Sequence, residues 1–473
     1  MHKPTHNQHS GIAGALESGA SLVDKVVDES LQHLRYASWS ANQWLDGNVV
    51  PSWQAGLQLQ RAFRGSVLDV IAGKRKLKDL AKESGERLRA GIRFQRLMNT
   101  LGKEAYGSAR FDGEVELARE GGFKLSYLPP KDGVAPVDVA IFHAGGVIPY
   151  GEGIFRLTPE YNLYERFRER GMPVYVMEIA GDSKTVDYAH ITMDMIIRAT
   201  QRLSTVAFEH NGKRKMALEG YCGSGTQSLA YLAALPEDVE EKFSVFVTFV
   251  TPVDGKKCGK LAEQVQRTPM ALADAQLGTF ETLGMTVPPD MQRVGLDLTL
   301  GAVMAKSAFG YFTTGWMRHD LARAKTAADL TPQQRRDLAG AYWISPDSAR
   351  RFPVPVDVSR YTSRMFSEGV APDGRMPWTF EGRPLSLGDT AAKTHIRAIG
   401  IFGAEDPVIP DRTGHVMMQI FGDRYQHVVH PGIGHISYVL TPRAWQPGPR
   451  GMRPNPVDLI LAAAGAEAKE AGS

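Results

Sequence analysis

The chain has 473 residues, of which 43% are hydrophobic and 23% are charged, a composition typical of a folded globular protein. Its formal net charge of +3 is too small to indicate nucleic-acid binding. The only cysteines are Cys222 and Cys258, which excludes a disulfide framework, and no Cys/His cluster has metal-ligand spacing. No apolar run is long enough to cross a membrane, and the N-terminus lacks a signal-peptide pattern. We therefore expect a cytoplasmic protein with no metal and no cofactor.

The first part of the chain is predicted to be entirely helical. Between about residues 21 and 101, apolar side chains recur at spacings of three and four, with no strand pattern. We assign residues 1–105 to this helical N-terminal region. Its stretch 61–96 holds eleven basic and four acidic side chains. Such a stretch is either a solvated helix face or a contact for an anionic surface or partner.

Beyond residue 110, short apolar runs alternate with helical patterns, which is typical of an α/β fold. Most of these runs are continuously apolar, as expected for parallel strands buried on both faces. A long interval with mainly helical patterns predicts a helical cap over 254–390, inserted into a core formed by 106–253 and 391–473. The predicted strands are a hairpin at 115–117 and 123–127, then 137–142, 173–179, 215–220, 243–250, 396–402 and 426–429.

The main candidate for chemistry is the segment 220–226, with the sequence GYCGSGT, which joins a predicted strand to a predicted helix. A nucleophile in such a turn needs small neighbours, because the turn is tight and the helix packs closely on the strand. Cys222 is the better candidate because a glycine stands two places before it, whereas Ser224 has Cys222 there. The N–H of Gly223 would then hold an oxyanion at the helix N-terminus. The alternatives are a phosphate-binding turn and a plain connection around a buried cysteine.

Two later loops carry the partners that a cysteine nucleophile needs. Asp406 and His435 each follow a predicted strand. The resulting chain order of nucleophile, acid and histidine is that of the α/β-hydrolase triad. Glu405 and His430 are neighbouring alternatives that only geometry can separate. His435 is preferred because flanking glycines let its loop approach the nucleophile closely.

A second glycine-rich segment, His143 to Gly146, directly follows the strand predicted at 137–142. It is similar to the loop that supplies the second oxyanion N–H in this architecture. Gly145 and Gly146 are therefore candidate donors, and an ordinary glycine turn is the alternative. His143 is expected to pack within the loop.

These motifs resemble those of polyhydroxyalkanoate synthases. Segment 220–226 resembles their G-Y-C-x-G-G-T turn, with Ser224 in place of a glycine. Segment 403–410 is similar to their G-x-x-D-x-x-x-P acid loop, and 434–436 to their S-G-H-I histidine loop. The likeness extends over about residues 110–440 and implies a divergent relative with an α/β-hydrolase fold.

The resemblance also implies a reaction. A 3-hydroxyacyl group would move from a coenzyme A thioester to Cys222 and then to a hydroxyl, so that a polyester chain forms. Coenzyme A would be part of a substrate rather than a cofactor. The same triad also fits a hydrolase, either an intracellular polyester depolymerase or an acyl-thioesterase. A third hypothesis is a non-catalytic protein that binds a polyester granule or a synthase. A homodimer is the oligomeric state that the resemblance implies.

Overall fold

The computed structural model describes residues 30–31, 34–41, 50–293, 314–316, 318–448 and 453–465. Alternating apolar and helical segments fold there into a sheet with helices on both faces. The strands in chain order are β1 (Val115–Glu120), β2 (Phe123–Leu128), β3 (Ile141–Ala144), β4 (Val174–Ile179), β5 (Met216–Tyr221), β6 (Phe243–Phe249), β7 (Arg375–Phe380), β8 (Arg383–Ser386), β9 (Arg397–Gly403) and β10 (Tyr425–His430).

Eight of these strands form the central sheet, in the order β1-β2-β4-β3-β5-β6-β9-β10. The pairs β1–β2 and β2–β4 are antiparallel, and the other neighbours are parallel. This is the predicted α/β-hydrolase fold. The strand predicted at 137–142 begins later than expected, because its neighbour β4 starts only at Val174, which pairs with Ile141.

Successive side chains of the central strands enter two apolar cores, one on each face of the sheet. In β5, Ala217 belongs to one core, whereas Met216 and Leu218 belong to the other. A continuously apolar strand is therefore needed to fill both cores. Beyond residue 105, the described α-helices are Tyr164–Arg168, Met193–His210, Cys222–Ala234, Pro236–Lys242, Lys260–Arg267, Met270–Thr282, Pro332–Trp343, Pro346–Arg351, Val356–Ser367, Leu387–Lys393, His415–Phe421, Ser437–Leu440 and Pro456–Ala463.

The N-terminal region is helical where the structure describes it, as predicted. Helices Val50–Ile71 and Leu77–Leu97 lead into a π-helical turn, Met98–Gly102, and a short helix, Lys103–Ala105. The end of this region packs into the same apolar core as the sheet, and a Cβ on Gly102 would lie 2.6 Å from the Leu338 carbonyl oxygen. The boundary predicted at residue 105 therefore does not separate two cores.

Several cations of the basic stretch 61–96 are paired within the protein. Arg87 forms an ion pair with Glu83 and donates to the Trp316 carbonyl, while Arg93 donates to the Ala324 carbonyl. Part of this charge therefore attaches helix Leu77–Leu97 to Trp316 and Ala324. Within the described ranges, no helix is both long enough and apolar enough to span a bilayer.

The predicted cap is mainly helical but also contains a hairpin that the sequence interpretation missed. Strands β7 and β8 pair antiparallel around Glu381 and Gly382, which both have positive φ values, 47° and 75°. Two such residues in succession are typical of a tight hairpin turn. Residues 294–313 of the predicted cap lie outside the described residues.

Two leucine substitutions in helix Leu77–Leu97 test whether this helix shares the core of the sheet. Leu97 is 4% exposed in that core, whereas Leu88 is 48% exposed. Leu97→Ala should lower the free energy of unfolding by about 2–5 kcal/mol because it leaves a cavity. Leu88→Ala should change it by about 0.5 kcal/mol or less. Urea unfolding measures both; equally small effects would mean that the helix does not share the core.

Candidate active site

Strand β5 ends at Tyr221, and the next helix begins directly at Cys222, so the connection between them is very short. Cys222 has a φ of 47°, in the left-handed region that non-glycine residues rarely adopt. Its side chain is partly exposed. A strained backbone of this kind, held by its surroundings, is frequent at functional sites.

Two glycines make this turn possible. A Cβ on Gly220 would lie 2.5 Å from the Cα of Gly225, and a Cβ on Gly225 would lie 2.0 Å from Thr251 Oγ1. Both distances are far below van der Waals contact, so no larger residue fits at either position. The glycines predicted to allow a tight strand-to-helix turn are therefore required by close packing.

The side chain of Ser224 stabilises the turn through hydrogen bonds to Tyr221. Its fully buried hydroxyl donates to the Tyr221 carbonyl oxygen at 2.9 Å and accepts from the Tyr221 N–H at 3.2 Å. This reciprocal pair satisfies backbone groups that a helix N-terminus otherwise leaves free. The residue that departs from the synthase-like pattern thus fits the geometry, and its hydroxyl is occupied by structural hydrogen bonds.

The acid loop and the histidine loop meet at Asp406 and His435. Asp406 Oδ2 lies 2.8 Å from His435 Nδ1, and Oδ1 accepts the N–H groups of Val408 at 2.8 Å and Ile409 at 2.9 Å. The Asp406 carboxylate is fully buried, and its contacts with His435, Val408 and Ile409 are hydrogen bonds. The alternative acid, Glu405, is exposed to solvent.

His435 also interacts with Cys222, and this interaction affects its titration. Burial by itself favours the neutral imidazole, but the interaction with Cys222 and the hydrogen bond to Asp406 raise the pKa of His435 to about 10. The structure therefore brings Cys222, His435 and Asp406 together in one chain of contacts.

The alternative histidine, His430, has different surroundings. It is fully buried, and its Nδ1 lies 3.0 Å from the hydroxyl of Tyr438. Burial, with a smaller effect of Arg453, lowers its pKa to about 4. His430 is thus a neutral core residue.

Tyr221, the residue before Cys222, connects the turn to the histidine loop. Its buried hydroxyl donates to the His435 carbonyl oxygen at 2.6 Å. The sequence did not reveal this contact. The available signal was an aromatic residue with a polar end inside a segment otherwise made of small residues.

The predicted oxyanion loop differs from expectation. The N–H of Gly145 donates to the His143 carbonyl, and that of Gly146 donates to the carboxylate of Glu152. Gln227 holds the loop from the other side, because its amide accepts from the Val147 N–H and donates to the Val147 carbonyl. The glycine N–H groups are thus already engaged, and Gln227 is a positioning residue that the sequence did not reveal.

The next residue of this loop, Ile148, lies against the turn. Its Cγ2 is 3.3 Å from the place that a Cβ on Gly223 would occupy. Among the hydrogen bonds of the described residues, neither the Ile148 N–H nor the Gly223 N–H has an acceptor. The two N–H groups that have no acceptor thus belong to residues that lie next to each other in the fold.

Two other predicted residues are structural. His143 of β3 and Glu219 of β5 are register neighbours, hydrogen-bonded to each other and fully buried. Cys258 is fully buried as well, and burial, together with the nearby Cys222 and Asp254, raises its pKa well above the usual value. A buried protonated thiol is a poor nucleophile.

A cleft of about 660 Å³ opens beside the oxyanion loop. It is lined by Gly146 and Ile148 of that loop and by charged groups that include Glu152, Arg156 and Arg351. Neither Cys222 nor His435 lines it. The cleft therefore adjoins the site through the loop without enclosing the reacting groups.

No protein-family model matches the chain. A curated protein from Haloferax mediterranei, the poly(3-hydroxyalkanoate) polymerase subunit PhaC, is 26% identical over 297 residues, which cover 62% of this chain and 53% of that protein. The chain thus spans about half the length of the curated relative.

Solved structures of similar architecture include a carboxyl esterase from Bacillus coagulans, with a TM-score of 0.41, 14% identity, and coverage of 67% of this chain and 90% of that one. A 2-hydroxy-6-oxo-6-phenylhexa-2,4-dienoate hydrolase from Rhodococcus sp. strain RHA1 has a TM-score of 0.37, 12% identity, and coverage of 74% and 98%. The strand order and the curated match identify this chain as a divergent α/β-hydrolase-fold protein similar to polyhydroxyalkanoate synthases.

Proposed function

We propose that this protein is an acyltransferase that moves a 3-hydroxyacyl group from a coenzyme A thioester to Cys222 and then to a hydroxyl group, forming an ester. One observation carries the proposal: Cys222 lies at the left-handed start of a helix and interacts with His435, which is itself hydrogen-bonded to Asp406. This is the arrangement of an activated nucleophile, its base and the group that orients the base.

In the first half of the reaction, His435 takes the proton of the Cys222 thiol. The thiolate attacks the carbonyl carbon of the thioester, and a tetrahedral oxyanion forms. The carbonyl is restored as the bond to coenzyme A breaks, and the departing thiolate receives the proton from His435. Asp406 stabilises the imidazolium in between, since its second oxygen is fixed by two backbone N–H groups.

We assign the oxyanion donors to Gly223 and Ile148. Both N–H groups are free among the described hydrogen bonds, and the two residues are in contact. The glycine donors predicted from the sequence, Gly145 and Gly146, would first have to leave His143 and Glu152. Two preorganised backbone donors are the usual means of stabilising such an oxyanion.

In the second half, His435 accepts the proton of an attacking hydroxyl group, and the new ester forms as the bond to Cys222 Sγ breaks. His435 then returns the proton to the sulfur. A thiol suits this sequence because transfer between two thioesters is nearly isoenergetic, so the acyl group stays activated for the alcohol. If water takes the place of the alcohol, the same groups perform hydrolysis.

Transfer is favoured over hydrolysis by the match to a polymerase subunit and by the synthase-like motifs at 220–226, 403–410 and 434–436. The alternative is a depolymerase or an acyl-thioesterase with the same residues. Granule association and a homodimer are parts of the proposal that the same likeness suggests.

Release of coenzyme A from 3-hydroxybutyryl-coenzyme A tests the chemistry. The purified chain should release thiol and form an oligomer or polymer, and Cys222→Ala should reduce release to the background rate. Cys258→Ala is the matched control and should keep the activity, because Cys258 is buried and not hydrogen-bonded to His435. Free hydroxy acid as the main product would favour hydrolysis. Full activity of Cys222→Ala would refute the nucleophile, and no release by any folded form would support the non-catalytic hypothesis.

Substitutions of Asp406 and of its neighbour Glu405 test the role of Asp406. Asp406→Asn keeps the shape of the side chain but removes the charge that orients and stabilises the imidazolium. We expect kcat to fall by about a thousandfold to ten-thousandfold. Glu405→Gln, at the adjacent exposed position, should leave kcat unchanged. Equal losses in both variants would contradict the assignment of the acid.

The titration of His435 tests its contact with the nucleophile. Its pKa of about 10 exceeds the ordinary 6.5, so its protonated form stabilises the fold fully below pH 6.5 and progressively less as the pH rises toward 10. Cys222→Ala removes the largest favourable influence on that charge, so the pKa should fall. NMR titration of protein labelled at histidine Cε1 measures it, with His435→Gln to assign the signal. An unchanged pKa would show that the two side chains do not interact.

A further inference from the structure

Three potential metal ligands meet at one edge of the sheet, outside the site described above. They are Asp411, His415 and His427, here called the 411–427 cluster. Asp411 begins a short 3-10 turn that follows the acid loop, and His415 is the first residue of helix His415–Phe421. His427 lies in the middle of β10. Elements adjacent in the fold thus direct a carboxylate and two imidazoles to one place.

The distances within the 411–427 cluster suit metal coordination better than hydrogen bonding. Asp411 Oδ2 lies 3.6 Å from His415 Nε2 and 3.5 Å from His427 Nε2. Both distances are too long for normal hydrogen bonds. Two ligand atoms on a tetrahedral zinc ion lie about 3.3–3.4 Å apart, given metal–ligand bonds of about 2.0–2.1 Å. The ligand atoms of all three residues lie within 4.8 Å of one another.

His427 is held in the orientation that a metal ligand requires. Its Nδ1 lies 3.1 Å from the Tyr425 hydroxyl, and its ring packs against Phe402 with the ring centres 5.1 Å apart. Nε2, on the other side of the ring, is buried and makes no hydrogen bond among the described residues. In the tautomer whose Nδ1 carries the proton, the Tyr425 hydroxyl oxygen accepts it and Nε2 presents a free lone pair, as in metal-binding histidines.

Solvent reaches the 411–427 cluster at the side chains of Asp411 and His415. The side chains of Asp411 and His415 are 43% and 50% exposed, whereas that of His427 is 11% exposed. An ion can therefore enter from the surface and keep water in its remaining coordination position. Two imidazoles with one carboxylate favour zinc and similar first-row ions over magnesium or calcium, which prefer oxygen ligands.

We propose that Asp411, His415 and His427 form a binding site for a divalent first-row transition-metal ion, with Zn²⁺ as the reference ion. The site joins the segment after the acid loop to the strand before the histidine loop. Asp411 lies directly after the acid loop that holds Asp406, and β10 leads into the loop of His435. The ion would thus fix the two loops relative to each other from a position outside the reaction. This site does not depend on the proposed function.

Calorimetric titration of Zn²⁺ into the untagged, chelator-treated full chain tests the proposal, with Mg²⁺ as the comparison. We expect one high-affinity Zn²⁺ site and no comparable Mg²⁺ binding. His415→Gln and Asp411→Asn change partly exposed side chains, so both variants should fold, as circular dichroism checks. Each should weaken Zn²⁺ binding by more than about 10-fold, because removing even a group that only orients a metal ligand costs about 10–100-fold.

Two controls separate this site from other histidines. His190→Gln removes a 77% exposed histidine that pairs with Asp187 at 2.7 Å but has no second imidazole, and it should bind Zn²⁺ as the unmodified chain does. The chain also carries His2, His6 and His9, and a variant with glutamine at all three should keep the site. The proposal is overturned if Zn²⁺ binds with equal affinity after His415→Gln and Asp411→Asn, if binding is lost with His2, His6 and His9, or if no binding occurs.

Discussion

The close approach of strand β5 to the helix that follows it is the constraint on which the site depends. The two elements are joined without an intervening loop, which forces Cys222 into the left-handed region. Gly220 cannot carry a side chain because Gly225 is too close, and Gly225 cannot because Thr251 is too close. The strain of the turn is held by packing and by the hydrogen bonds of Ser224 to Tyr221.

This turn also positions the other parts of the site. The Tyr221 hydroxyl donates to the carbonyl of His435, so the residue before Cys222 is tied to the histidine loop. Gln227, one turn into the helix, binds the backbone of Val147 on both its amide atoms and thereby fixes the oxyanion loop. One helix N-terminus thus orients two separate loops through buried polar groups that are costly to leave unpaired.

Burial and neighbouring charges give chemically similar side chains different properties. Asp406 is buried and fully hydrogen-bonded, whereas its neighbour Glu405 faces solvent. Asp406 and Cys222 favour the charged form of His435, whereas burial favours the neutral form of His430. Cys222 is reachable, while Cys258 is enclosed and its thiol stays protonated. Side chains of similar chemistry therefore behave differently because their burial and their charged neighbours differ.

The sequence by itself determined the fold class, the strand pattern and the choice of Cys222, Asp406 and His435 as candidates. Continuous apolar runs and glycines around a tight turn are local signals, because they reflect periodicity and backbone sterics. The tertiary structure decided what depends on contacts between distant segments. It placed Asp406 rather than Glu405 against His435, engaged the N–H groups of Gly145 and Gly146 in other hydrogen bonds, and joined Tyr221 and Gln227 to neighbouring loops.

The N-terminal boundary and the hairpin within the cap were also decided by tertiary structure. Helix Leu77–Leu97 and Gly102 contact residues more than two hundred positions away, and helical periodicity alone does not show which surface a helix will cover. The β7–β8 pair is short, and its turn depends on backbone angles that its residue types only weakly indicate. Local periodicity and glycine spacing could thus be read from the chain. Hydrogen-bond partners and burial could not, because they arise only when residues far apart in sequence come into contact.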